Sequence, residues 1–194
     1  MNEKQLGRNA HIMVDIETLG TAVNATVFQI AAVRFDINTG EILAEFNETQ
    51  DIAELSNINA DGSTIQWWLE TNSDLMKYLI CLPTTSKLLA DFHAWLTAQS
   101  EDFDLYLWGN GILFDNNIIR QQFVDMGLNY PIRYSHDRDV RTILQLACDK
   151  LDTTVNEFKQ QCYDPSLTQH HAYHDVINQV AAVVTAYNLL TGGE

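Results

Sequence analysis

Asp15 and Glu17 close the apolar run His11-Ile12-Met13-Val14-Asp15-Ile16-Glu17. That run reads as a strand, on which residues two apart point to the same face. Two carboxylates held side by side at the end of a buried strand repel each other unless a cation lies between them. The simplest such cation is a hard divalent ion, Mg²⁺ or Mn²⁺, bound through oxygen. A lone D-x-E reads as readily as two solvated acids, so its partners matter. Asp115 follows the apolar run Leu105–Trp108 and the turn residues Gly109-Asn110-Gly111, where a helical pattern begins that continues through Phe123, Val124 and Met126. Asp175 ends His170-His171-Ala172-Tyr173-His174-Asp175, ahead of a second amphipathic pattern through Val176, Val180 and Val184. Taken singly, both are first-turn acids favoured by a helix dipole. Their order and surroundings carry the argument.

Asp15-Ile16-Glu17-Thr18, the mid-chain Asp115 and His170-x-Ala172-x-x-Asp175 resemble the three exonuclease motifs of the DnaQ-like, DEDDh superfamily. The H-x-A-x-x-D spacing marks its histidine-containing subclass. Within it, Met13 to Gly20 (MVDIETLG), Ser63 to Trp68 and Arg138-Asp139-Val140-Arg141-Thr142 are similar to an exoribonuclease-like group that includes phage exonuclease A and a mycobacterial exoribonuclease. The resemblance runs from His11 to Leu190. It implies an RNase H-like α/β fold, a mixed central β-sheet flanked by α-helices. It also implies a 3'-5' exonuclease that releases 5'-mononucleotides from the 3' end of single-stranded RNA or DNA. In that family the position of Thr18 and Leu19 contacts the terminal nucleotide, through backbone amides and an apolar side chain.

The chemistry open to this set follows from charge. A phosphodiester is anionic and resists attack, so two divalent ions roughly 3.5–4 Å apart stabilise the attacking and leaving oxygens together. Asp15 is expected to bridge both ions, Glu17 and Asp175 to complete the tighter site, and Asp115 to hold the second. Carboxylates spent on metal cannot also take the proton from the attacking water, whereas a histidine can. His171 and Asp175 are four apart and share a helix face; His170 and Asp175 are five apart and do not. A mobile base belongs on the loop before the helix, which favours His170, and the family motif selects the same residue. His171 and His174 are expected to be solvated.

Substrate contacts are read from residue type. Trp67 and Trp68 are aromatic platforms for a base. Neighbouring helix positions diverge by about 100°, so one of them, taken as Trp68, is expected to stack and the other to pack in the core. Arg138 and Arg141 are candidate phosphate clamps, or exposed salt-bridge partners. Two rivals stand beside the exonuclease: a nuclease specialised for short oligonucleotides or dinucleotides, and a non-catalytic binding module that kept the fold. All five motif positions are filled, which disfavours the second.

These residues need a scaffold, and the pattern supplies one. Strand signals run over 11–17, 26–35 and 41–46, with Asn38-Thr39-Gly40 as a hairpin turn. Helical patterns cover 64–69, 73–80, 86–98, 114–126, 140–150, 155–161 and 173–190. A single domain over 11–190 is expected, with tails at 1–10 and 191–194. The 194 residues are 46% hydrophobic, enough for one core. No run reaches membrane-spanning length and the N-terminus lacks a signal-peptide apolar region. With the unpatterned Cys81, Cys148 and Cys162 this suggests a cytoplasmic protein with reduced thiols.

The net charge of −15 argues against a long nucleic-acid groove. Charge is uneven, however: residues 120–159 hold six basic groups (Arg120, Arg133, Arg138, Arg141, Lys150, Lys159) against six acids. Bound metal ions would add positive charge where the scissile phosphate sits. Short or single-stranded ends are therefore the expected partners. A homodimer is expected as well, because relatives in the superfamily often pair and the chain carries 19 aromatic residues.

Overall fold

The computed structural model describes residues 8–192, so residues 1–7 and 193–194 of the expected tails lie outside the described residues. Five strands form one mixed sheet: β1 (Arg8–Thr18), β2 (Val27–Phe35), β3 (Ile42–Thr49), β4 (Phe103–Gly109) and β5 (Asp137–Asp139). Their order is β3-β2-β1-β4-β5. The β1–β2 and β2–β3 pairs are antiparallel, whereas β4 lies parallel to β1 and β5 parallel to β4. The hairpin between β2 and β3 turns at the expected residues. Asp36 Oδ1 accepts from the backbone N–H of Asn38 and Thr39, and Gly40 takes a φ of +77°, which glycine adopts without steric cost.

Helices α1 (Gly62–Thr71), α2 (Ser73–Cys81) and α3 (Leu88–Asp102) carry the chain from β3 to β4. They are followed by α4 (Asp115–Asp125), α5 (Val140–Leu151), α6 (Val155–Cys162) and α7 (Ala172–Thr191). Every expected helix forms. β1 begins three residues before the expected His11, and β5 had no sequence signal.

Strict alternation along β1 makes it the spine. Ile12, Val14 and Ile16 join Leu88, Phe92 and Leu96 of α3 and Ile118, Ile119 and Phe123 of α4 in one apolar layer. Met13, on the opposite face, joins Ala31 and Val33 of β2, Val140 and Leu144 of α5, and Val176, Val180 and Val183 of α7 in the other. Asp15 and Glu17 continue the Met13 face. They therefore point toward α7 rather than into water.

Candidate active site

Packing of α7 across the sheet fixes what stands over β1. Val176, Val180 and Val183 are buried against the Met13 face, which leaves Asp175 and, one turn later, Gln179 above Asp15. Gln179 is 3% exposed and its Nε2 donates to Asp15 Oδ1 at 2.9 Å. Asp15, Glu17 and Asp175 each offer a carboxylate oxygen, all within 4.8 Å of one another. Asp115 comes from the other direction, as the first residue of α4, and is 4% exposed. Gly109 permits this: a Cβ there would collide with Asn116 and lie 3.4 Å from Asp115 Cβ. The four acids and His170 line one cleft of about 300 Å³, together with Asn110, Phe114, Lys159, Tyr163, Gln169 and Gln179. Asp115 and Asp175 are first-turn acids of their helices, as their positions suggested, and both also line this cleft.

The acids do not sit comfortably as four anions. Burial, then the charges of Asp115 and Asp175, pushes Asp15 well above the usual carboxylate range. Burial, then Asp15, does the same for Glu17. Burial raises Asp115 to about 7, against the pull of the Ile16 and Asp115 backbone N–H groups and of Arg141. A dense, all-oxygen donor set of this kind fits a hard divalent cation, which would remove the repulsion and the desolvation penalty together. The sign with pH follows. Unfolded carboxylates ionise near pH 4, so between about pH 4 and about 7 the fold retains protons that the unfolded chain has released. Stability of the chelated protein should therefore fall as pH rises through that window. Mn²⁺ needs the ionised acids, so its stabilisation should grow over the same range. Melting curves in EDTA and in Mn²⁺ from about pH 5 to about pH 8 check this; a flat chelated curve would refute it.

His170 takes a φ of +62°, the left-handed region that a residue with a Cβ adopts at a cost of about 1–2 kcal/mol. Its backbone N–H donates to Asp175 Oδ2 at 2.9 Å, which locks the turn to a cluster acid. Its ring meets Trp67 edge to face, with centroids 4.9 Å apart. Backbone strain held in this way is characteristic of functional positions. His171 stands at the N-cap position of α7, makes no side-chain cap, and is not solvated as expected. It is half-buried, its ring stacks on His174 at 4.4 Å, and its Nδ1 has no hydrogen-bond partner. Burial, then His174, lowers its pKa. His174 is engaged too, since Thr168 N–H donates to its Nδ1.

A second hollow of about 310 Å³ adjoins the cleft and shares Ile16, Glu17 and Phe114 with it. Thr18, Thr21, Ser63, Thr64, Trp67 and Trp68 complete its lining. Trp68 is 2% exposed and its indole N–H donates to the Thr18 carbonyl, so it forms the floor. Trp67, at 39% exposure, is the tryptophan that presents a ring. Leu19 is not brought to the site: it is buried with Phe28, Trp68, Met76 and Leu79, and its N–H donates to Thr26. Nor is Arg138, whose Nη1 donates to the Ser135 and Asp137 carbonyls while its guanidinium lies 4.5 Å over the Tyr106 ring. Arg141 is brought close, because its guanidinium packs against Gly111 in the loop ahead of Asp115. Asp139 holds this corner together by capping α5 at Thr142 N–H and accepting from Ile112 N–H. Sequence reasoning missed Gln179, Lys159 and Tyr163. The four-residue spacing from Asp175 could have revealed the first.

The chain has similarities that bear on this cleft. A family model described as the 3'-5' exoribonuclease Rv2179c-like domain matches residues 10–187. No curated protein matches the sequence. Among solved structures, the zinc-bound complex of E. coli exonuclease I with single-stranded DNA superposes with a TM-score of 0.62 at 16% identity, over 95% of this chain and 41% of that one. The chain thus spans well under half of exonuclease I. The nuclease domain of 3'hExo, a DEDDh family member bound to rAMP, gives 0.60 at 13% identity over 95% and 94%. Cell-death related nuclease 4 gives 0.63 at 16% over 96% and 65%. At such identities the likeness establishes the fold: a mixed five-stranded sheet flanked by helices, as in the RNase H-like exonucleases.

Proposed function

Because the chain belongs to the family of 3'-5' exoribonuclease Rv2179c-like domains, we propose that it is a metal-dependent exonuclease removing 5'-mononucleotides from the free 3' end of single-stranded RNA. The observation that carries this reading is the cleft in which Asp15, Glu17, Asp115, Asp175 and His170 converge. Asp15, Glu17 and Asp175 would hold one ion, and Asp115 with Asp15 a second; Mg²⁺ or Mn²⁺ suits the oxygen donors. When bound, the ions supply Lewis-acid stabilisation of the attacking and leaving oxygens.

The remaining work falls to the chain's own groups. Gln179 fixes one oxygen of Asp15 and so orients the other. His170 takes the proton from the attacking water as the new P–O bond forms and the P–O3' bond breaks. Trp67 offers its exposed ring to the terminal base, while Thr18, Thr21, Ser63 and Thr64 surround its sugar with hydroxyls and backbone. Exonuclease I with single-stranded DNA and 3'hExo with rAMP support a single-stranded substrate and a mononucleotide product. A cytoplasmic homodimer is part of the proposal; among the described residues no helix is long and apolar enough to cross a membrane.

Matched end-labelled RNA and DNA oligonucleotides, each with a free or a blocked 3' hydroxyl, test the reading. RNA with a free 3' end should shorten one nucleotide at a time, faster than DNA, and the blocked strand should persist. Equal decay of free and blocked strands would overturn it.

A further inference from the structure

We propose that Gln179 is a positioning residue for the water carried by the cation: its amide N–H holds Asp15, and its carbonyl oxygen accepts a hydrogen bond from a water on the ion. The inference rests on the metal-dependent reading above and adds to it a residue that favours ions which keep their water.

Burial makes this amide stand out. The inward face of α7 is otherwise small and apolar, with Ala172, Val176, Val180, Val183 and Ala186 in the core. An amide in such a place costs free energy unless both of its ends are hydrogen-bonded. The described residues include three buried glutamines, and two of them meet that condition. Gln29, which stands opposite Glu17 in the β1–β2 pair, donates to Asn47 Oδ1 and accepts from the Ala172 N–H. Gln50 donates to the Asp51 carbonyl and accepts from the Leu88 N–H. Gln179 is only half satisfied. Its Nε2 donates to Asp15 Oδ1 at 2.9 Å, while its Oε1, shut off from solvent, finds no partner among the described residues.

The chemistry of what enters the cleft identifies the missing donor. An ionised carboxylate only accepts, so the amide turns its N–H to Asp15 and its carbonyl away from it. Lys159 and Tyr163 line the same cleft, yet neither donates to that oxygen. A phosphodiester brings acceptors alone. A water on an ion held by Asp15, Glu17 and Asp175 is a donor, strengthened by the positive charge, and it arrives beside an amide that already touches Asp15. Mg²⁺ demands octahedral geometry and parts with its waters reluctantly, whereas Ca²⁺ accepts more ligands in a looser arrangement. A fixed acceptor for one water therefore favours Mg²⁺.

Melting curves of the full chain, titrated with Mg²⁺ or with Ca²⁺ in the absence of nucleic acid, read both the fold and the apparent affinity of each ion. Gln179→Met is similar in length but has neither donor nor acceptor. It should weaken Mg²⁺ binding by about 10–100-fold and Ca²⁺ binding far less. Gln179→Glu keeps an acceptor and adds charge, so it should bind Mg²⁺ no more weakly than wild type. Its turnover of RNA at saturating Mg²⁺ should nevertheless fall, because Asp15 has lost its donor. A methionine variant that binds both ions as wild type does overturns the proposal. So does an equal loss for the two ions, which would place the effect in Asp15 or in direct coordination by the carbonyl. Unchanged affinities with a shift only in the RNA-over-DNA rate would assign the carbonyl to a sugar hydroxyl instead. Should methionine not be tolerated, weaker Mg²⁺ binding by Gln179→Glu overturns the proposal by itself. A wild type that binds neither ion overturns the metal-dependent reading, and the role of Gln179 with it.

Discussion

Asp15→Asn should reduce hydrolysis of a 3' RNA end by about 10³-fold or more, the largest loss expected from any single substitution. A catalytic metal ion contributes several kcal/mol of charge stabilisation, and each 1.4 kcal/mol is about a factor of ten in rate. Asp15 is the ligand proposed above to touch both ions. It lies within 4.8 Å of Glu17 and Asp175 oxygens, and the nearby charge of Asp115 perturbs its ionisation. Asparagine keeps the shape and removes the charge, so the fold should survive; with one buried anion gone, the metal-free protein should melt higher at neutral pH. Single-turnover rates and melting curves on the same preparation separate the two effects. A variant retaining more than about a tenth of wild-type rate, a loss of less than about 1.4 kcal/mol in barrier terms, would remove Asp15 from the bridging role.

His170→Ala should cut turnover by about 10²–10⁴, the range for removing a general base, while Mn²⁺ binding stays nearly intact. The imidazole lines the cleft and packs edge to face on Trp67, whereas its link to Asp175 runs through the backbone N–H, which alanine keeps. His171→Ala should cost much less activity. That ring stacks on His174 and is half-buried at the start of α7, so its loss should show mainly as a small drop in melting temperature. Parallel Mn²⁺ titrations and rates on both variants decide the matter. A large loss in His171→Ala with a mild one in His170→Ala would move the base one residue along.

Much of this cleft was legible because side-chain period tracks backbone geometry. Alternation in His11–Glu17 placed Asp15 and Glu17 on one face, and the apolar period after Asp175 produced α7. β5 escaped notice because Asp137-Arg138-Asp139 pairs with β4 through backbone groups and has no apolar alternation. The tryptophans could be separated only by tertiary contacts: Trp68 packs against Phe28 with its indole N–H on Thr18, leaving Trp67 outside. Arg138 and Arg141 looked equivalent in sequence. The strand turns the first onto Tyr106, and the helix turns the second onto Gly111. Lys159 and Tyr163 reach the cleft through the packing of α6 on α7, which no local pattern encodes.

The most direct test of the central claim, that these acids are a metal-dependent 3' exonuclease site, follows a 5'-labelled single-stranded RNA over time in excess EDTA and then in excess Mg²⁺. The strand should not shorten in the chelator, and a one-nucleotide ladder with 5'-mononucleotide products should follow once Mg²⁺ is restored. Undiminished cleavage in EDTA, or cutting of a circular single strand, would contradict it.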